Sequence, residues 1–148
     1  MAAYFLDTSA AVKRYVQEAG TSWIQDLYES ASGHEFYLCR IAEVEVTAAL
    51  AKRRRQGHLS TTQVGAALGR FRGDLGRDHR VVEVTVGLLK RAGLLADAHD
   101  LRAYDAVQLA AALEIRAEIH PLILISSDND LNDAALAEGF TVEDPNHH

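Results

Sequence analysis

Apolar positions along the chain switch repeatedly between two spacings. Residues 4–6 form a short apolar run ending at Asp7, which predicts a strand. Thr8 and Ser9 are good N-cap residues and predict a helix over 10–17. Gly20-Thr21-Ser22 ends that helix and caps another, with Trp23, Ile24, Leu27 and Tyr28 as its apolar face. After a Ser32-Gly33 break, residues 36–39 form a second strand. Residues 41–55 are alanine-rich and apolar at helical spacing, and they end in basic residues before Gly57, as a helix should. Ser60-Thr61-Thr62-Gln63 resembles a capping box opening a helix through about residue 75. A strand over 81–84 and helices over 86–95 and 101–119 follow, the last stopped by Pro121. Leu122–Ile125 is continuously apolar, as in a strand buried on both faces. A helix over 131–138 ends at Gly139, and residues 140–142 form a last strand. Short strands alternating with helices predict an α/β fold on a mainly parallel sheet, one domain spanning 1–148.

Composition narrows the setting. The chain has 148 residues and is 48% hydrophobic, enough for a core without metal or disulfide staples. Cys39 is the single cysteine, which excludes an internal disulfide and suits a reducing cytosol. MAAYFLDTSA has neither a charged n-region nor a long apolar h-region, and no apolar run approaches the roughly 20 residues that span a bilayer. A soluble cytoplasmic protein without membrane contact is expected. The net charge of −6 argues at first against a nucleic-acid partner. Yet four negative charges belong to the acids discussed below. Locally, Lys52, Arg53, Arg54 and Arg55 are consecutive, and Arg70, Arg72, Arg77 and Arg80 follow. The terminal His147-His148 is compatible with a native end or a tag remnant and carries no inference.

Open parallel sheets build sites beyond the carboxyl ends of their strands, at the topological switch point. Asp7 directly follows the first strand, and Asp128 lies just beyond Leu122–Ile125. Glu45 shares a helix face with Ile41, Ala48 and Ala49, where a carboxylate is costly without a compensating partner. Glu43 lies about 200° around the same helix, so only one of the two points into a site, and Glu45 is expected to. Asp105 sits in the first turns of its helix, with Leu101, Val107, Gln108 and Leu109 around it. The helix N-terminus favours a negative charge there by only about 0.3–1 kcal/mol. Clustered carboxylates repel and partly protonate unless a cation intervenes. Oxygen-only ligands select Mg²⁺ or Mn²⁺ over zinc, and two such ions suit phosphodiester hydrolysis. Taken singly, each acid has a plainer reading, as a cap, a turn residue or a solvated helix position. Asp97-Ala98-His99-Asp100 is expected to be a polar loop capping the next helix, not a metal site. The Lys52–Arg55 run is expected to be a solvated helix end, with contact to RNA phosphates as its functional alternative.

The motifs together resemble a known family. Tyr4-Phe5-Leu6-Asp7-Thr8-Ser9-Ala10 resembles the opening motif of PIN-domain proteins. Arg40-Ile41-Ala42-Glu43-Val44-Glu45-Val46-Thr47-Ala48-Ala49-Leu50 is similar to their second acidic motif, and Leu101-Arg102-Ala103-Tyr104-Asp105-Ala106-Val107-Gln108-Leu109-Ala110 to the third. Ser126-Ser127-Asp128, followed by Leu131, Ala134, Ala135, Gly139 and Phe140, matches the fourth. The motifs keep the family's order and span nearly the whole chain. The resemblance implies a three-layer α/β/α sandwich and a Mg²⁺-dependent endoribonuclease of the VapC toxin type, with Mn²⁺ as a substitute ion. It implies a VapB-type antitoxin as partner, a homodimer, and tRNA, rRNA or mRNA as substrate. Asp7, Glu45, Asp105 and Asp128 carry over as metal ligands, Ser9 as a catalytic helper and Ser126 as a weaker one. Asp130 is either an extra acid for the metal or a cap on the final helix. The two helices between residues 41 and 75 are the expected antitoxin groove, and Trp23 and the tyrosines are expected in the core or at partner contacts. An inert PIN-like module that only binds RNA or protein is the alternative. A phosphotransfer site fits less well, because Ser9 stands where a dehalogenase-type site needs a second Asp, and Ser126-Ser127-Asp128 stands where a receiver domain has a lysine.

Overall fold

Alternation in β1 (Ala3–Leu6) sends Ala3 and Phe5 to one face of the sheet and Tyr4 and Leu6 to the other. Tyr37 and Cys39 of β2 (Glu35–Cys39) join the Phe5 side, while Phe36 and Leu38 join the Leu6 side. In β4 (Leu122–Ile125), Leu122 and Leu124 face the Phe5 side and Ile125 the other. With β3 (Arg80–Val82) and β5 (Thr141–Glu143), these strands make a sheet in the order β3-β2-β1-β4-β5, parallel at every pairing. The computed structural model describes residues 1–31 and 33–148. Ser32 of the expected Ser32-Gly33 break therefore lies outside the described residues.

Two apolar faces demand two helical layers. On the Leu6 side lie α1 (Thr8–Ala11), α2 (Thr21–Glu29), α3 (Ala42–Arg55) and α4 (Thr61–Asp74). On the Phe5 side lie α5 (Val86–His99), α6 (Ala103–Glu118) and α7 (Asn129–Ala137). The result is the expected three-layer α/β/α sandwich. Residues Ala106 to Leu113 of α6 are all buried, which makes α6 the innermost helix. The order of the strands puts the switch point between β1 and β4, where the chain leaves one half of the sheet for the other. Among the described residues, no helix is long and apolar enough to cross a membrane.

Several ends fall elsewhere than the sequence suggested. Asp7, not Thr8 or Ser9, caps α1: its Oδ1 accepts the Ala10 amide at 3.0 Å. The helix therefore starts at Thr8, tightens into a 3-10 turn over Val12–Arg14 and stops well short of residue 17. The expected loop at Asp97-Ala98-His99 is instead the last turn of α5, ended by Asp100 in the left-handed conformation (φ 52°), which aspartate tolerates. His99 Nε2 lies 2.8 Å from Glu138 Oε1, a tie to the end of α7 that holds this turn in place. β3 ends two residues early at Val82, and β5 sits one residue later than expected. The capping box at α4 forms as expected, with Ser60 and Gln63 bonding to each other's backbone amides at 3.1 and 2.8 Å. Gly20 caps α2 at φ 85°, and a Cβ there would fall 2.5 Å from the Pro145 carbonyl oxygen.

A buried polar cluster pins the α4–β3 connection against the opposite end of the Leu6 layer. Tyr15 Oη donates to Asp74 Oδ2 at 2.7 Å, and Tyr28 Oη lies 2.6 Å from His79 Nε2. The Arg14 guanidinium sits 3.6 Å over the Tyr28 ring. Burial first, and then the Arg14 charge, hold the His79 pKa down to about 4. A histidine that resists protonation only when folded stabilises the protein above its unfolded pKa of about 6.5, and that stability is lost as pH falls toward 4. His79→Gln is expected to lose ~2–3 kcal/mol less stability than the wild type between pH 7 and pH 4. Urea midpoints of both proteins at the two pH values check this, and equal losses would refute it.

Candidate active site

Three neutral donors hold Asp7 at the end of β1. Ser9 Oγ donates to Oδ1 at 2.7 Å, the Ala10 amide to Oδ1 at 3.0 Å, and Ser126 Oγ to Oδ2 at 2.8 Å. Asp7 is 4% exposed. Burial pushes its carboxyl up to about 7, the three hydrogen bonds pull against that rise, and the Asp128 charge adds to it. Ser9 and Ser126 also tie the β4–α7 loop to the strand end: Ser9 Oγ accepts the Ser127 amide at 2.9 Å, and Ser126 Oγ accepts the Asp128 amide at 3.0 Å.

Glu45 projects from the first turn of α3 toward Asp7's neighbour Thr8. Its Oε1 accepts Thr8 Oγ1 at 2.9 Å and Gln108 Nε2 at 2.7 Å. Glu43 points away, exposed and paired with Arg40 at 2.7 Å. Asp105 is half-buried in the first turn of α6, and Asp128 caps α7 through Oδ1 to the Leu131 amide at 2.9 Å. Burial, then the Asp128 charge, raise the Asp105 pKa, while Arg102 opposes the rise.

The four acids and Ser9 line one cleft, together with Lys52, Arg53 and Arg55. The basic end of α3 is thus not merely solvated; three of its four residues form a cleft wall. Arg70 and Arg77 are engaged elsewhere, with the Tyr15 carbonyl and Asp74. Asp130 is exposed and lines a separate hollow beside His99, Asp100 and Asp133, and the capping role once open to it belongs to Asp128. Among the tyrosines, Tyr104 departs from the core expectation: it is 58% exposed and lines the acidic cleft.

Sequence reasoning missed Thr8, Gln108 and Arg102. Gln108 had a readable signal, as the one polar residue inside the buried Ala106–Leu113 stretch of α6. Thr8 looks like an ordinary cap in sequence, and only the turn out of β1 aims its hydroxyl at Glu45. Arg102 Nη2 donates to Asp105 Oδ2 at 3.0 Å and to Asp128 Oδ2 at 2.8 Å. Among the described residues, no three acidic, histidine or cysteine side chains form a ready metal cage. Asp105 and Asp128 are paired with Arg102 instead. Even so, the donor set fits a hard divalent ion: it is all oxygen, and the Asp7 and Asp105 carboxyls are held above their ordinary pKa first by burial and then by the Asp128 charge.

A raised carboxyl pKa is a folded-state cost that grows as pH climbs from about 3.8 to about 7. In chelator-treated protein, Asp7→Asn is therefore expected to gain stability, on the order of 2–4 kcal/mol at pH 8 and less at pH 5. Thermal melts at both pH values check this. A gain independent of pH would refute it.

Comparison with known proteins agrees with this layout. The PIN domain family model matches residues 4–136. Ribonuclease VapC45 of Mycobacterium tuberculosis is 34% identical over 138 residues, covering 93% of this chain and 92% of the relative. Among solved structures, the sarcin-ricin-loop-cleaving toxin VapC20 of M. tuberculosis superposes with a TM-score of 0.66 at 23% identity, covering 93% of this chain and 96% of the other. VapBC2 of Rickettsia felis, bound to a promoter DNA fragment, gives 0.66 at 13% identity over 96% and 98%. With its motifs in order around a single cleft, this chain belongs to the PIN-domain family, among its VapC-type members.

Proposed function

We propose that this protein is a metal-dependent endoribonuclease, the toxin of a type II toxin–antitoxin pair. The observation that carries the reading is the convergence of Asp7, Glu45, Asp105 and Asp128 on one cleft whose wall is the basic end of α3. Mg²⁺ is the proposed ion, with Mn²⁺ as its substitute, held by these four carboxylates. Asp130, exposed in the first turn of α7, is the candidate extra acid. A bound ion would supply Lewis-acid stabilisation of the phosphate and a more acidic attacking water.

The chain's own groups do the rest. Asp7 is held to one rotamer by Ser9, Ala10 and Ser126, so the ion position is fixed before substrate arrives. Thr8 and Gln108 fix Glu45 in the same way. Lys52 and Arg55, with Arg53 between them ion-paired to Glu18 at 3.0 Å, attract RNA phosphates to the cleft by local charge despite the acidic whole. A VapB-type antitoxin is the proposed partner, and a homodimer the proposed assembly. Ribonuclease VapC45 and the VapBC2 complex support the first of these.

Purified protein is expected to cleave cellular RNA with Mg²⁺ or Mn²⁺ and to stop on chelation. Asp7→Asn should abolish cleavage, and Gln108→Ala should lower it by about 10–100-fold through a loosened Glu45. End-mapping of the cleaved RNA gives the site. Equal cleavage by wild type and Asp7→Asn would overturn the assignment and favour the inert binding module.

A further inference from the structure

The address of Arg102 is unexplained by helix stability. It occupies the N-cap position of α6, makes no side-chain cap bond, and places a cation at the positive end of the helix dipole. Its position is set instead by two carboxylates. Nε and Nη2 lie 3.1 and 3.0 Å from Asp105 Oδ2, and the same Nη2 lies 2.8 Å from Asp128 Oδ2. One nitrogen therefore sits between two acids that line the cleft. The Arg102 side chain is 74% exposed, against 13% and 23% for its partners. It reaches inward from solvent and leaves again without disturbing the core.

We propose that Arg102 is a built-in counter-cation, occupying the position between Asp105 and Asp128 until a divalent ion displaces it. The inference rests on the metal reading of the cleft. A divalent ion held by both acids would compete with Nη2 for the carboxylates that now accept from it, so the two cations are rivals for one position. An all-oxygen site brings ligands to about 2.0–2.6 Å of such an ion, closer than any guanidinium hydrogen bond. The doubly charged ion thus has the stronger hold, and Arg102 is the partner that yields. Once released, its planar fork would remain in the cleft that Tyr104 and Lys52 also line, free to take phosphate oxygens in pairs. Arg102 would then offset the repulsion between the two acids in the resting protein and meet the substrate in the loaded one. It is a positioning residue whose partner changes with metal.

Calorimetric titration of Mn²⁺ into full-length wild type, Arg102→Ala and Arg102→Lys tests this without reference to cleavage. Removing a competitor held by exposed ion pairs should tighten Mn²⁺ binding in Arg102→Ala by roughly five- to thirty-fold, with Arg102→Lys between. Mg²⁺ titration followed by ¹⁵N NMR should shift the Arg102 Nε–H signal of the wild type, identified by its absence from Arg102→Ala. Circular dichroism confirms that the variants are folded, as expected for a side chain so exposed. Wild-type binding with equal or weaker affinity in Arg102→Ala, or an Nε–H signal unmoved by saturating Mg²⁺, would overturn the displacement. Absence of any Mn²⁺ binding by the wild type would remove the metal reading and this inference together.

Discussion

The arrangement depends on one buried carboxylate. Asp7 ends the central strand of the sheet, beneath the start of α1 and beside the β4–α7 loop, and it is almost wholly out of water. A carboxylate in that place requires donors, and the local structure is organised to supply them. The Ala10 amide is available because α1 begins where Asp7 can cap it. The Ser126 hydroxyl is available because β4 runs parallel to β1 and ends beside it, with Ile125 paired to Leu6. Ser9 then bonds both to Asp7 and to the Ser127 amide, fixing the loop that carries Asp128. The same contacts that make the buried acid tolerable also bring the second strand-end acid to the cleft.

Much of this was legible in the chain because periodicity reports burial. The short apolar run at residues 4–6 and the unbroken run Leu122–Ile125 identified the two central strands, and their carboxyl ends located Asp7 and Asp128. The apolar neighbours of Glu45 separated it from Glu43, and the structure directs Glu43 to Arg40 instead. Boundaries were less legible, since they turn on which side chain wins a backbone amide. Asp7, Thr8 and Ser9 are all competent caps, and the choice of Asp7 follows from the tertiary partners of the other two hydroxyls. The Tyr15–Asp74 and Tyr28–His79 pairs were invisible for a related reason. They join residues distant in sequence that no local pattern connects.

Net charge is a poor description of this surface. The chain is acidic as a whole, yet its basic residues are not spread evenly over its surface. Arg40 is held between Glu43 and Glu83, and Arg77 by Asp74 and Asp78. The end of α3, where cations suit the helix dipole, puts Lys52, Arg53 and Arg55 along the cleft. Screening in physiological salt limits the reach of a charge to about 8 Å, so what a polyanion meets at the cleft is this wall and not the distant acids.

The four acids are compensated in two different ways, and the difference has a chemical consequence. Asp7 and Glu45 are held by hydroxyls, an amide and a side-chain carboxamide, all neutral. Such donors orient a carboxyl without placing a counter-charge beside it, so no cation already occupies that side. Asp105 and Asp128 share the charge of Arg102 instead. Half of the cleft is therefore rigid and free of a cation, while the other half is paired with a largely exposed side chain. On the proposed metal reading, a cation entering the cleft would meet fixed carboxylates on the β1 and α3 side and a replaceable competitor on the α6 and α7 side. The order of assembly would follow from that asymmetry, the fixed half holding the ion first and the exchangeable half setting how tightly it is finally held.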